Sequence, residues 1–478
     1  MNPAETIWID GAWEAGAGPS LPVVDPATEK EIACVASAST EQVVRAAEAA
    51  ASAQPAWGAL EPWRRGEALR VIAAWFRRHR RELAELLCSE TGKPIAKALE
   101  DVENSAIYLD YMAQWDRRIE GEIVPSDNAH ETILLSRVPI GVVAAITAWN
   151  YPLDLFVRKV APALITGNTV ILKPSEVTPL ACIRAARLIA ESGCLPPGVF
   201  NLVTGGGSVG AALCSHPLVN MITMTGHRET GKKIMTGAAG TLARVSLELG
   251  GSAPAIVWKD ADLDLAAEAL AFSSFENSGQ VCTSAERILV HQDVHDAFVE
   301  RLVEYANRLR VGDRHGETDL GPLVNATQFG KVRQAIDRAR AEGAHLVCGG
   351  YGLPSLPREG YWIRPTVITG VTPAMSLFNE EIFGPLAPVI RIGRYDEAIR
   401  LANATRYGLT AFVFSNDYRL IMQAQNDLRF GEVYINRAMG EALQGFHTGH
   451  QESGIGGEDG KHGVLKYTQI RTVYHRYS

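Results

Sequence analysis

The sequence predicts an α/β fold of two doubly wound α/β domains, with a small separate β domain beside them. Three patterns in the chain point to it. From residue 141 onward, short apolar runs alternate with helical patterns, as a parallel sheet covered by helices requires. A second alternating series begins near residue 255. Two strand-like runs, at 121–124 and 131–135, stand outside both series and are separated by a polar turn.

The elements follow in order. The first helical pattern covers about 40–53, with Ser39 as its cap and Gln42 placed to complete a capping box. A second covers 62–87, with apolar residues at helical spacing. Its basic run Arg77-Arg78-His79-Arg80-Arg81 reads as a solvated helix face. A third, 97–117, follows the Gly92-Lys93-Pro94 break. In the first series the strands are 142–147, 169–172, 199–203, 221–224 and 245–249, with helices at 154–164 and 179–192 and between the later strands. In the second they are 255–258, 287–291, 345–348, 388–392, 411–414 and 433–436, most of them separated by helical stretches. A Gly/Pro-rich loop at 349–357 is the one linker-like segment.

A chain of 478 residues exceeds one compact core, so two or three lobes are expected. Its net charge of −8 gives no support to a nucleic-acid or anionic-membrane surface. The seven cysteines (34, 88, 182, 194, 214, 282 and 348) are scattered, with no CxxC pair and no Cys/His cluster at ligand spacing. Neither a disulfide framework nor a metal site is expected. The N-terminus lacks the pattern of a signal peptide, and no apolar run reaches the ~18 residues of a membrane span. The expectation is a reduced, soluble, cytoplasmic protein.

The segment Ser278-Gly279-Gln280-Val281-Cys282-Thr283-Ser284 sets one cysteine after a glycine-bearing loop. Alone it says little, since free cysteines are mostly small buried hydrophobes. It is accompanied by Trp149-Asn150-Tyr151-Pro152, Lys173-Pro174-Ser175-Glu176, Thr225-Gly226 with Gly231, and Glu248-Leu249-Gly250-Gly251. Glu381-Ile382-Phe383-Gly384-Pro385 and Ser453-Gly454-Ile455-Gly456 follow. With these seven motifs in this order, the chain resembles the aldehyde dehydrogenase superfamily over nearly its whole length.

The resemblance implies three domains: an NAD-binding domain at 1–118 and 141–250, a catalytic domain at 251–450, and an oligomerisation domain at 119–140 and 451–478. It implies Cys282 as the nucleophile. An ordinary thiol, with a pKa of ~8.5, is only a few per cent ionised near pH 7, so the residue needs local help. Attack on an aldehyde gives a thiohemiacetal, whose oxygen would be held by the Asn150 amide and the Cys282 backbone N–H. One such donor is worth roughly 3–4 kcal/mol of barrier. Glu248 matches the base that activates water against the thioester. Relatives that pass the acyl group to coenzyme A usually lack it, so water is the expected acceptor.

The expected cofactor is NAD. The glycine-rich run 203–210 is a weak phosphate-loop signal. The family instead sets the pyrophosphate at the helix start after Thr225-Gly226, where free N–H groups favour anions. Lys173 and Glu176 match positions that hold the adenosine ribose, and a carboxylate at Glu176 repels a 2′-phosphate. Glu381 and Phe383 match those that position the nicotinamide ribose and ring. Trp149, Ser175, Gly226, His227 and Leu249 complete the expected contacts. Three departures from the family stand out. His227, followed by Arg228, replaces a usual Ser and adds positive charge that would relax discrimination against NADP. Ser252 replaces a common Lys, and Ala148 a common Pro.

Within the superfamily the chain is most similar to lactaldehyde/glycolaldehyde dehydrogenases. The similarity lies in Tyr111-Met112-Ala113-Gln114-Trp115, Glu120-Gly121-Glu122-Ile123, Arg158-Lys159-Val160-Ala161-Pro162 and the tail from Glu441 to Gly463. It implies that Arg158 and His447 line the aldehyde entrance and bind a hydroxyl or carboxylate near the aldehyde. Arg158 stands about two helical turns after Asn150, which would let it face the same channel. A salt-bridged Arg158 with a structural His447 is the competing reading. An NADP-linked semialdehyde dehydrogenase and a catalytically silent NAD-binding protein are the rival functions. The strand pair and a terminal strand at about 467–474 would leave sheet edges open, so a homodimer or homotetramer is expected.

Overall fold

The computed structural model describes residues 5–477. Residues 1–4 and 478, which fall within the expected NAD-binding and oligomerisation spans, lie outside the description.

Two sheets and a smaller third organise the chain. The first has eight strands in the order Ala12–Ala15, Glu5–Ile9, Phe200–Leu202, Thr169–Lys173, Val142–Ile146, Met221–Thr225, Arg244–Glu248 and Gly454–Ile455. Its five inner strands are parallel, and each of the three that flank them pairs antiparallel with its inner neighbour. The central strands Val142–Ile146 and Thr169–Lys173 are buried along their whole length, as a sheet covered on both faces demands. The second sheet has seven strands, in the order His345–Gly350, Arg364–Thr369, Leu386–Ile392, Ala285–His291, Ala253–Val257, Thr410–Phe414 and Glu432–Ile435. All are parallel except the edge strand His345–Gly350. The third sheet is antiparallel. Thr468–Arg476 pairs with Glu131–Pro139 along nine residues, and Glu131–Pro139 pairs with Glu122–Val124.

Several elements depart from the sequence reading. Four N-terminal strands precede the first helix: Glu5–Ile9, Ala12–Ala15, and the hairpin Ser20–Asp25 with Lys30–Ala36. They are short, and Glu5–Ile9, which pairs locally with Ala12–Ala15, joins the sheet through Phe200–Leu202, far along the chain. The first helix keeps its capping box at Ser39 and Gln42 but continues through Pro55 to Ala59. Trp57 anchors that last turn, buried and donating its Nε1 to the Leu164 carbonyl at 3.1 Å. The expected helix 62–87 is two helices, Pro62–Arg78 and Arg80–Thr91, which meet at His79 with no Gly or Pro to mark the joint. Arg77 and Arg81 of its basic run pair with Glu103, Asp110 and Glu85 on the helix faces. Strand Arg364–Thr369 went unread because the glycine- and proline-rich loop before it masks its start. Among the described residues, no helix is long and apolar enough to cross a membrane.

Candidate active site

The topology of the first sheet fixes where a site forms. From the central strand Val142–Ile146 the chain moves outward through Thr169–Lys173 and Phe200–Leu202. It then returns to the other side of Val142–Ile146 as Met221–Thr225 and Arg244–Glu248. The crevice at the carboxyl ends of strands where such an order reverses is the usual binding place in doubly wound sheets. Those ends deliver Trp149 and Asn150, then Thr225-Gly226-His227, then Glu248 and Leu249.

The second sheet supplies the opposing loop. The turn Glu276–Gly279 precedes Cys282 and carries three consecutive left-handed residues, Asn277 (φ 49°), Ser278 (φ 56°) and Gly279 (φ 72°). A Cβ on Gly279 would fall 2.1 Å from the Gly384 carbonyl oxygen, so only glycine fits there. Two amides lock this loop to the first sheet. Asn150 Nδ2 donates to the Gln280 carbonyl at 3.0 Å, and Asn277 Nδ2 donates to the Asn150 carbonyl at 3.2 Å.

A cavity of about 620 Å³ opens between the sheets, and Asn150, Glu248 and Cys282 all line it. Trp149, Gly226, His227, Leu249, Glu381 and Phe383 line it as well, as do Arg158 and His447. Lys173, Ser175 and Glu176 are not brought to this cavity. They lie at the end of strand Thr169–Lys173 beside the glycine-rich run 205–210. There Glu176 Oε1 is 4.0 Å from where a Gly206 Cβ would sit, and Lys173 Cε is 3.6 Å from the equivalent point on Gly210. Lys173 Nζ reaches Glu176 Oε2 at 3.5 Å. The glycines thus leave open space next to a carboxylate, an arrangement suited to a sugar.

Electrostatics sharpen the picture. Glu248 is buried, and neither carboxyl oxygen has a hydrogen-bond partner among the described residues. Burial pushes it up to about 7, partly opposed by His447, whose Nε2 lies 3.8 Å away. Beneath it, Lys159 and Glu458 form a buried ion pair, and Lys466 donates to Ser246 Oγ at 2.8 Å. Burial raises the Cys282 thiol above its ordinary value, and the nearby His447 opposes this only in part. Burial disfavours a charged His447, but Cys282, Glu432 and Glu441 outweigh it and raise the ring well above its ordinary value.

Two expectations require correction. His227 and Arg228 do not add free positive charge. Burial lowers the His227 ring, whose Nδ1 accepts from Glu229 N and so caps the helix Arg228–Ala239. Arg228 is paired with Glu452 at 2.7 Å and Glu229 at 3.1 Å. Nor is Arg158 free to take a carboxylate, because Asp154 (2.7 Å) and Asp459 (2.8 Å) already occupy its fork, with Glu441 at 3.8 Å. A neutral hydroxyl is the better match for what remains.

Sequence reasoning missed Glu286, Gln328, Lys331, Glu432 and Glu441. Glu286 is buried and accepts from the Ile382 and Phe383 amides. With Gln328, which donates to the Phe383 carbonyl at 2.6 Å, it holds Phe383 at φ 58° and edge-on to Trp149. Lys331 lines the cavity and partly opposes the burial that raises Glu381, whose Oε1 accepts from Gly251 N. Glu432, Glu441 and His447 bring three ligand atoms within 4.8 Å of one another, a grouping scattered in sequence. Arg158 lies 3.8 Å from Glu441, and His447 lies 3.0 Å from Glu432 and 3.9 Å from Glu441, so the trio is held as an ion-pair network. No local motif announces the first four, and Glu441 opens the tail segment already singled out but was given no role there.

Comparison with known proteins gives a consistent result. A model described as the aldehyde dehydrogenase family matches residues 13–473. The chain is 44% identical over 472 residues to a lactaldehyde dehydrogenase of Escherichia coli strain K12, covering 98% of each. It is 38% identical over 477 residues to a D-glyceraldehyde dehydrogenase (NADP(+)) of Thermoplasma acidophilum, covering 99% of this chain and 96% of that protein. Its fold matches a crystal structure of lactaldehyde dehydrogenase from Escherichia coli with a TM-score of 0.96, covering 99% of both chains.

Proposed function

The chain belongs to the aldehyde dehydrogenase family, and on that footing we propose that it oxidises a small hydroxylated aldehyde to the carboxylate, with NAD and through a thioester on Cys282. The observation that carries this reading is the meeting of Cys282, Asn150 and Glu248 in one cavity, from two different sheets.

Cys282 attacks the aldehyde carbon. The Asn150 amide, whose orientation is fixed by its bond to Gln280, stands with the Cys282 backbone N–H to hold the developing oxyanion. Bound in the crevice, NAD would supply the hydride acceptor. Trp149, Gly226, His227, Leu249, Glu381 and Phe383 would hold its nicotinamide half, and Lys173, Ser175 and Glu176 its adenosine ribose. The acyl group stays on sulfur as a thioester. Glu248, raised by burial to about 7, takes a proton from water as that water attacks the thioester carbon. Its two unpartnered oxygens leave room for the water's hydrogen bonds.

Arg158 and His447 line the same cavity and are assigned to the substrate end. Their carboxylate neighbours favour an aldehyde bearing a hydroxyl over one bearing an anion. The related lactaldehyde and D-glyceraldehyde enzymes, by name, act on aldehydes of this kind. Cofactor binding is assigned to 1–118 and 141–250, chemistry to 251–450, and assembly to 119–140 and 451–478. Exposed apolar residues on the third sheet, with Ile123 77% and Ile470 56% exposed, support assembly as a homodimer or homotetramer.

The test is NADH formation with lactaldehyde, glycolaldehyde, succinic semialdehyde and hexanal, comparing NAD with NADP and wild type with Cys282→Ala. Turnover of the two hydroxyaldehydes with NAD, abolished in Cys282→Ala, is expected. Preference for NADP and the semialdehyde would move the reading to an NADP-linked enzyme. Best turnover with hexanal, unaffected by Arg158→Ala, would remove Arg158 from the substrate end.

A further inference from the structure

Two side chains from elsewhere in the chain grip the loop Glu381-Ile382-Phe383-Gly384. The N–H groups of Ile382 and Phe383 donate to the Glu286 carboxyl: Ile382 N lies 3.0 Å from each oxygen, and Phe383 N lies 2.7 Å from Oε1. The carbonyls of the same two residues accept from Gln328 Nε2, at 3.1 Å for Ile382 and 2.6 Å for Phe383. All four backbone polar groups of Ile382 and Phe383 thus end on one carboxyl and one amide. Glu286 is 2% exposed on a strand buried along its whole length, where a polar group is costly unless it is bonded. Phe383 has φ 58°, a left-handed backbone that a bulky residue keeps only where its surroundings over-determine it.

We propose that Glu286 is a positioning residue for hydride transfer, locking the loop that carries Glu381 and Phe383 to the segment that carries Cys282. This rests on the reading of Cys282 as nucleophile and of Glu381 and Phe383 as contacts of the nicotinamide half. In that step the C–H bond of the thiohemiacetal oxyanion breaks, and the hydrogen passes with its electron pair to the nicotinamide. An oxygen lone pair then completes the thioester carbonyl, so the carbon is oxidised and NAD is reduced to NADH. Such a step is sensitive to placement, and a shift of about 1 Å can cost roughly 10²-fold in rate.

Both arms of this grip trace back to the Cys282 loop. Glu286 follows Cys282 by four residues, at the start of strand Ala285–His291. Gln328 stands in the first turn of helix Ala326–Ala341, and just before that helix Val324 N donates to Gln280 Oε1 at 2.9 Å. The Gln280 carbonyl in turn accepts from Asn150 Nδ2 at 3.0 Å. The loop has little slack between these arms. Gly279 packs against the Gly384 carbonyl with no room for a Cβ, and a Cβ on Gly384 would lie 2.5 Å from Val332 Cγ2. Toward the first sheet, Glu381 Oε1 accepts from Gly251 N at 3.0 Å, and the Phe383 and Trp149 ring centroids are 5.3 Å apart. Nucleophile, oxyanion donor and nicotinamide contacts therefore share one frame, and Glu286 bridges its two moving parts directly.

The experiment is single-turnover NADH formation by stopped flow, with the full chain in excess over its preferred aldehyde of the four above and NAD saturating. Glu286→Ala should slow it by about 10–100-fold, and further when the aldehyde carries deuterium at its carbonyl carbon, the mark of the hydride step. Glu286→Asn, one methylene short of the two N–H groups, should slow in the same way and decides the matter where the alanine variant does not fold. Glu286→Gln keeps an acceptor oxygen in place and should recover most of the rate. Two readouts need no turnover. The fluorescence lifetime of bound NADH should shorten toward that of free NADH in the Ala and Asn variants, as the ring loosens. Alkylation of Cys282 by iodoacetamide without cofactor should keep its wild-type rate. Wild-type turnover and lifetime in the Ala and Asn variants, a Gln variant as slow as Ala, or alkylation that falls along with turnover would each overturn the proposal. Failure of the dehydrogenase reading looks different: wild type itself would form no NADH, or Cys282→Ala would form it undiminished.

Discussion

Replacing Glu248 by glutamine separates its proposed chemical role from its structural cost. In wild type, burial lifts the carboxyl from 4.5 to about 7. A base works only when ionised, so turnover limited by thioester hydrolysis should fall as pH drops through about 7. At about pH 6 roughly a tenth of the carboxyl is ionised, and kcat should stand near a tenth of its plateau. Glutamine cannot accept a proton, so steady-state turnover in Glu248→Gln should fall by roughly 10²–10⁴. The attack of Cys282 and the Asn150 contact are untouched. Stopped-flow absorbance should therefore show a burst of about one NADH per active subunit and then a nearly flat trace.

Stability should move the other way. The folded value lies above the unfolded one, so this group's contribution is fully present below 4.5 and is lost as pH rises through about 7. At ~1.4 kcal/mol per pH unit, the interval from 4.5 to about 7 disfavours the buried carboxylate by about 3 kcal/mol. Glu248→Gln, uncharged throughout, should resist urea better than wild type at about pH 8 and lose the advantage near pH 4.5. A wild-type kcat that is flat between about pH 5.5 and 8, with undiminished steady-state turnover in the variant, would refute the assignment of Glu248 as base.

Three further outcomes are expected. Arg158→Met removes the cation shared by Asp154 and buried Asp459, and should cost about 3–5 kcal/mol, read as a lowered Tm; an unchanged Tm would mean those carboxylates do not depend on it. Glu176→Ala should raise the kcat/KM ratio for NADP over NAD by about tenfold or more, because a carboxylate excludes a 2′-phosphate; an unchanged ratio would move the ribose site elsewhere. Gly250→Ala puts a Cβ 2.3 Å from Glu381 Oε2, so the carboxylate must shift; turnover at fixed NAD should fall by about 10–100-fold, and wild-type kinetics would show that Glu381 does not position the cofactor.

The sequence by itself determined the layering of the fold and the family, and with the family which side chains to expect at the site. Period-2 and period-3.6 patterns are local, so the parallel strands, most helices and the cap at Ser39 with Gln42 were readable without a partner in view. The segments around Asn150, Glu248 and Cys282 said little singly and became legible only as a set of short motifs that resemble one family in their order along the chain.

What the sequence withheld depends on distant partners. Strand Glu5–Ile9 pairs locally with Ala12–Ala15 but docks on the sheet against a strand almost two hundred residues away, and the helix joint at His79 carries no breaker residue. Whether Arg158 would take a substrate hydroxyl or carboxylate or be salt-bridged was open in the sequence, and the tertiary structure fills its fork with Asp154 and Asp459. The positive charge expected of Arg228 is answered by Glu452, 224 positions later. His447 likewise meets Glu432 at 3.0 Å, and shares a cavity with Cys282, only once the chain between them has folded. A side chain's chemistry is written in its own letter, but its charge state and free valence are set by whatever the fold buries it against, and Coulomb interactions and desolvation act through space rather than along the chain.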